Sequence, residues 1–326
     1  MDNFADKLGL MLASLVLFAA VIGAVLLVVS LVERRGGKRV AWYFVGPTVL
    51  LLLVGLIYPA LSTIWSSFKD ATGSTFVGLD NYTQIFTSSD DLIVLRNTVL
   101  WVVLTPIVAT LVGLVYAIIV DGARGEAVAK ALIFLPMAIS FVGASIIWKF
   151  MYEYRSYDPS VQNNPAQIGL INQIIVWLGG TPQQFLINSP WNNLFLIVVM
   201  IWIQAGFAMT ILSAAIKAIP SDMVEAARLD GVSTWGMFRF ITVPAIRPTL
   251  VVVLTTIAIG CLKVFDIVRT MTGGNYNTSV VANEFFDQSF SAGNEGLGAA
   301  LAVLLFVLVI PIVVYNVRTL RKAEQR

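Results

Sequence analysis

Seven long apolar stretches dominate this chain and leave it few folds to choose from. They fall at 8–32, 41–65, 95–120, 131–152, 191–216, 249–270 and 297–317. Each is near or above the roughly 20 apolar residues that a helix needs to cross the hydrocarbon of a bilayer. Backbone groups in lipid must be satisfied within their own segment, so separate spans of this length are read as helices. The expected fold is therefore an all-α membrane protein of about seven transmembrane helices. Composition agrees: 58% of residues are hydrophobic and 12% are charged, about half the charged share of a soluble domain. The leader MDNFADK is not basic and its apolar run exceeds a signal core, so the first stretch is read as a retained span. With no histidine and the single cysteine Cys261, a Cys/His zinc site, a disulfide framework and Ser-His or Cys-His catalysis are excluded within the chain. A net charge of +2 gives no reason to expect nucleic acid as a partner.

The basic residues orient the spans. If the segment after the first span is cytoplasmic, that side receives Arg34, Arg35, Lys38, Arg39, Arg124, Lys130, Lys217, Arg228, Arg239, Arg247, Arg318, Arg321, Lys322 and Arg326, whereas the other side receives Lys7, Lys69 and Arg155. This asymmetry predicts an outer N-terminus and a cytoplasmic C-terminus. Segments 66–94 and 153–190 become outer loops carrying Asp70, Asp80, Asp90, Asp91 and Asp158. Within the second, GLINQIIVWLG has apolar residues at helical spacing and is expected to be a short helix at the outer interface.

A polar segment, 217–248, interrupts the apolar runs on the cytoplasmic side and contains EAARLDG. Ser221 is expected to cap a helix whose first turn holds Asp222, and Gly231 to end it. Ser233 and Thr234 open a second helix, WGMFRFITV, which Pro244 is expected to stop, giving a helix-turn-helix outside the bilayer. Met223, Ala226, Ala227 and Val232 offer a small apolar face beside Glu225, Arg228 and Asp230. Such a face suits either a cleft on a soluble partner or the lipid headgroup layer.

Glu225, Ala226, Ala227, Gly231, Ile241 and Pro244 stand at the spacing E-A-A, three residues, G, nine residues, I-x-L-P, with Val243 in the leucine position. This resembles the coupling loop of the membrane subunits of binding-protein-dependent ABC importers. FVGPTVLLLLVGLIYPALSTIWSSF, FVGLDNY, ALIFLPMAISFVGASIIWKFMY, AIPSDMVEAARLDG and KVFDIVRTMTGG extend the resemblance over about 42–318, to the carbohydrate-uptake branch that includes maltose and α-glucoside permeases. Asn275 departs from it, since relatives often continue with Gly and Pro after TGG. The resemblance implies an extra N-terminal helix and basic loop at 1–40 and a six-helix permease core at 41–326. It also implies a second homologous permease subunit, an extracytoplasmic solute-binding protein and a prokaryotic inner membrane. Two cytoplasmic ATPase subunits would carry ATP and Mg, since this chain has no G-x-x-x-x-G-K-[ST] loop and is expected to bind no cofactor and to be no enzyme by itself. They would grip Glu225, Ala226, Ala227, Arg228, Asp230 and Gly231.

Polar residues within spans are candidates for the transported solute. Lys263 and Asp266 lie three apart, which on one helix would let them pair or line a cavity together. Lys149 and Glu153, at i and i+4, read as a structural pair near the outer boundary. Gln204 with Phe207 offers an amide for sugar hydroxyls and a ring for stacking, or alternatively interhelical packing. The resemblance places Met200, Ile203, Gln204, Phe207, Thr256, Gly260 and Lys263 along a sugar cavity. A phosphate-bearing solute such as glycerol phosphate, offset by Lys263, is the rival within transport. An intramembrane enzyme lacks a convincing mid-membrane Ser-Lys or Asp-Asp pair, and a self-sufficient channel or secondary transporter would show a charged pore ring or an inverted repeat.

Overall fold

The computed structural model describes residues 2–33, 40–158, 160, 161 and 165–324. Arg34, Arg35, Lys38, Arg39 and Arg326 of the charge asymmetry, and Pro159, Asn163 and Asn164 of the outer turn-rich segment, lie outside them. Among the described residues the chain is helical, with one isolated antiparallel bridge between Lys69 and Phe76. It divides into two units, Met1–Trp65 and Ser66–Arg326.

In the first unit α1 (Asp2–Glu33) is apolar on all sides, and its stretch Leu8–Leu27 buries none of its side chains within the protein. That is the expected surface of a helix solvated by lipid rather than by a core. Helix α2 (Val40–Leu52) continues through a π turn at Leu53–Ile57 into α3 (Tyr58–Ser66). Pro47 lies inside α2.

The second unit opens with α4 (Asp80–Thr87), a helix where the outer segment reads as loop, and α5 (Ser89–Val120). The third span therefore starts about two turns before residue 95, because Asp90 and Asp91 sit in its first turn, where carboxylates complement the exposed amides. Helix α6 (Glu126–Phe134) passes through a 3-10 turn at Leu135–Ala138 and meets α7 (Phe141–Met151) at a bend of 100°. The straight span expected at 131–152 is thus broken. Pro136 tightens the chain into the 3-10 turn, and Ser140 restarts the helix by accepting the amide of Gly143 at 3.1 Å.

Helix α8 (Leu170–Trp177) is the short helix expected in the outer segment, and α9 (Asn192–Lys217) matches the span expected at 191–216. Next come α10 (Ser221–Leu229), α11 (Thr234–Gly236), a π turn at Met237–Thr242, and α12 (Val243–Leu262). Residues Thr234–Leu262 form one run of 29, so Pro244 does not stop a second loop helix. It falls in the first turn of α12, straight after a π turn that hydrogen-bonds out of α register, and there the missing N–H breaks nothing. The sixth span ends at Leu262, not at residue 270. Helices α13 (Asp266–Met271) and α14 (Val281–Phe286), a π turn at Asp287–Ser291 and α15 (Glu295–Glu324) complete the unit.

Small residues let α5 and α9 pack closely. A Cβ at Gly113 would stand 2.5 Å from that of Ala208 and 2.9 Å from the carbonyl of Ala205, the close backbone approach that drives association where lipid offers no hydrophobic advantage. Trp101, Leu196, Ile197, Met200, Met209, Leu212, Ile246 and Ile257 fill the core around this contact. At the Asn192 end of α9, side-chain amides tie down the segment after α13. Asn97 donates to the carbonyls of Asn277 (2.8 Å) and Ser279 (3.0 Å), Asn192 to Tyr276 (2.8 Å) and Asn193 to Asn277 (3.0 Å).

Candidate functional site

Helix α10 is held to the protein by one face and presents the other outward. Its N-cap is Pro220, whose φ of −56° and ψ of 133° already bend the chain, so Ser221 is the first helical residue and not the cap. At the other end Gly231, at φ +73°, reverses the chain, and the amides of Asp230, Gly231 and Val232 donate to the carbonyls of Ala226, Arg228 and Ala227 at 3.0–3.1 Å. Ser233 caps the next helix through the amide of Gly236 at 3.2 Å, as its sequence position suggests. Ala227 is buried and α10 packs on the π turn Met237–Thr242.

The small apolar face read from the sequence is therefore split. Ala227 faces inward and Val232 is half-buried, while Met223, Glu225, Ala226, Arg228, Asp230 and Gly231 are exposed. Among the described residues Glu225, Arg228 and Asp230 make no side-chain hydrogen bond or ion pair. The sequence reading missed two neighbours: Leu229 is 89% exposed and Trp235 67%. Their signal was available, since both are large apolar residues in a polar loop.

Just ahead of this loop, an ion cluster ties the Lys217 end of α9 to the turn between α5 and α6. The Glu126 carboxylate accepts from Lys130 at 2.6 Å, from Lys217, and from the amide of Gly122 at 3.0 Å. Lys130 also donates to Ser213, and Lys217 lies 3.4 Å from Asp121. Sequence reading named the lysines only as topological charge, although Glu126 and Lys130 stand at i and i+4.

The polar stripe of the spans is only partly assembled. Met200, Ile203, Gln204 and Phe207 share one face of α9 by their spacing. Met200 and Ile203 belong to the buried core, and Gln204 and Phe207 are half-buried. Gly260 of α12 faces Met200, whose Cε lies 4.0 Å from the position of a Cβ. Thr256 is exposed. Gln204 makes no hydrogen bond among the described residues, so its amide does not join the helices. Lys263 is the exposed C-cap of α12 and Asp266 the first residue of α13, because the helix breaks between them. They therefore do not share a helical face and form no ion pair. Nor do Lys149 and Glu153: α7 ends at Met151, which takes Glu153 out of the i,i+4 register. Both instead line a cavity of about 540 Å³ at the Asn192 end, with residues 184–187, 269–273, 275 and 276.

A family model described as "binding-protein-dependent transport system inner membrane component" matches residues 104–320. The chain belongs to this family. It is accordingly a multi-pass inner membrane transport component, and the match takes in the α10 loop, the α9 stripe and the ion cluster. Among its relatives are the osmoprotective compounds uptake permease GgtC of Synechocystis sp., 47% identical over 86% of this chain and 99% of the relative, and the α-glucoside transport permease AglF of Rhizobium meliloti, 46% identical over 85% and 81%. The trehalose/maltose permease MalF of Thermococcus litoralis is 32% identical over 83% and 90%. The same fold occurs in a crystal structure of a bacterial ABC transporter that imports alginate, with a TM-score of 0.71 at 23% identity over 85% of this chain and 93% of that one.

Proposed function

We propose that this inner membrane component forms half of the pathway by which an ABC importer takes up a di- or oligosaccharide such as an α-glucoside. The observation that carries the reading is the outward face of α10. Glu225, Arg228 and Leu229 stand exposed without internal partners on a rigidly terminated helix, in a chain without a phosphate-binding loop of its own. Such a face is completed by another protein: charged groups around an exposed leucine suit a cleft with matching charge and an apolar floor. Two cytoplasmic ATPase subunits, binding ATP and Mg, supply that cleft. A second homologous permease subunit completes the pathway, and an extracytoplasmic solute-binding protein delivers the solute.

In this reading the basic residues hold the Lys217 end of α9 and the C-terminus in the cytoplasm, with the N-terminus outside. Residues 1–40 add a helix to a permease core at 41–326. Closure of the ATPases moves α10, which passes the motion through the π turn into α12, while Gln204, Phe207, Thr256, Gly260, Lys263 and Asp266 edge the solute path and Met200 and Ile203 back it from the core. Two relatives named for α-glucosides and for trehalose/maltose support a saccharide. The exposed, unpaired Lys263 favours a second reading, a small phosphate-bearing solute. The deciding experiment is co-purification with the partner subunits, followed by ATPase assay in the presence of the binding protein and a panel of α-glucosides and glycerol phosphate. Stimulation by a glucoside supports the first reading, and stimulation by glycerol phosphate alone replaces it with the second.

A further inference from the structure

The cavity at the Asn192 end lies apart from the stripe on α9. Its edge at 184–187 precedes α9, whereas Gln204 lies twelve residues into that helix, roughly 18 Å along its axis. Its volume of about 540 Å³ is within the usual range for small-molecule sites.

The walls are set before any solute arrives. Asn172, fully buried, donates to the carbonyls of Glu153 (2.9 Å) and Gln183 (3.0 Å) and accepts the amide of Gln183 at 2.8 Å, which binds two sides of the cavity together. Gly169 approaches the Glu153 backbone too closely for any Cβ. On the third side Asn192 holds the carbonyl of Tyr276. A site fixed in this way orders little on binding.

Charge in the cavity selects for a neutral ligand. Arg269 is already neutralised by Asp287 at 2.7 Å and stacks on Phe286. Lys149 and Glu153 remain, one of each sign, and neither has an ion-pair or side-chain hydrogen-bond partner among the described residues. A phosphate would meet the Glu153 carboxylate and an ammonium ion would meet Lys149. A hydroxyl suits both, accepting from the ammonium and donating to the carboxylate in charge-assisted bonds. Tyr154 and Tyr276 add aromatic surface of the kind that stacks on a sugar ring.

We propose that this cavity is an entry subsite that holds a neutral saccharide at the outer mouth, between release from the binding protein and passage to Gln204. The proposal rests on the saccharide reading of the function. It assigns Lys149 and Glu153 the paired hydrogen bonds to ring hydroxyls.

The test uses the complete importer in proteoliposomes. Wild type is first assayed with neutral disaccharides, then Lys149→Met and Glu153→Gln are compared. Each variant should raise the apparent KM of uptake roughly tenfold, the loss of one charge-assisted bond, while kcat and the ATPase rate without solute stay within about twofold. Independently, Ile187→Cys places an accessible thiol at the cavity rim of a chain whose own Cys261 is buried. The transported disaccharide, without ATP or binding protein, should slow its labelling by a maleimide at least about threefold at millimolar concentration, and mannitol should not. If wild type transports saccharides yet neither KM nor labelling responds, the subsite is refuted and the function stands. If wild type transports no saccharide, both fall. Should a variant fail to assemble, labelling of Ile187→Cys alone decides.

Discussion

Gly231 holds φ at +73° with nothing within 4 Å of where a Cβ would stand, so a substitution there meets backbone strain and not crowding. Proline cannot adopt that φ at all. Gly231→Pro should therefore abolish uptake and uncouple ATP hydrolysis while membrane levels of the protein hold, as immunoblotting of membranes would reveal. Glu225→Lys should do the same by reversing a charge that has no partner among the described residues, so the damage is expected at the contact with another protein. Wild-type uptake by either variant would remove α10 from the coupling role. Gln204 is a different case, a half-buried amide that makes no hydrogen bond among the described residues. Gln204→Ala should raise the apparent uptake constant several-fold, about the worth of one or two neutral hydrogen bonds, without loss of complex assembly.

Among the helices, the contact most exposed to test is that of α5 with α9. Gly113→Val would drive a branched side chain into Ala208 and the backbone of Met209, costing about 1–3 kcal/mol of stability. A lowered thermal midpoint in detergent would register it, with Gly9→Val on the open surface of α1 as a neutral control. Where sequence reading of the elements succeeded and failed follows from the same physics. Spans such as α9 were legible because the hydrocarbon imposes one length and one chemistry. The break between α6 and α7 was not, since Leu135, Ile139 and Phe141 keep the hydropathy high through it, and Pro136 and Ser140 act on geometry rather than on polarity. Pro244 misled in the opposite sense: a proline ends a helix by a clash within regular α register, and the preceding π turn has already left that register. Lys263 and Asp266 looked like one polar face only while the helix was assumed to continue past Leu262.

For the whole molecule, the reading of function makes the chain dependent on others. Reconstituted alone in vesicles, it should neither hydrolyse ATP nor accumulate saccharide, and both activities should appear together when the partner subunits are added. Uptake by the lone chain would favour a self-sufficient transporter instead. The turn that ends α10 and the cap that follows it were legible in the sequence because their signals are local: Gly231, Ser233 and the acidic first turn at Asp222 all lie within a dozen residues. The cavity at the Asn192 end was not, because α7, the segment before α9, and α13 with the segment after it each supply part of it and only folding brings them together. The ion cluster at Glu126 was hidden for the same reason, since Lys217 reaches it from 91 positions away.

The unbroken run Thr234–Leu262 has a mechanical meaning. At about 1.5 Å per residue its 29 residues make a strut of roughly 43 Å. Rotated by about 10° around one end, such a strut sweeps its far tip through about 7 Å, more than the width of a helical turn. In the coupling proposed above, a small stroke that α10 delivers to the Thr234 end is thus geared up at the Lys263 end of the run.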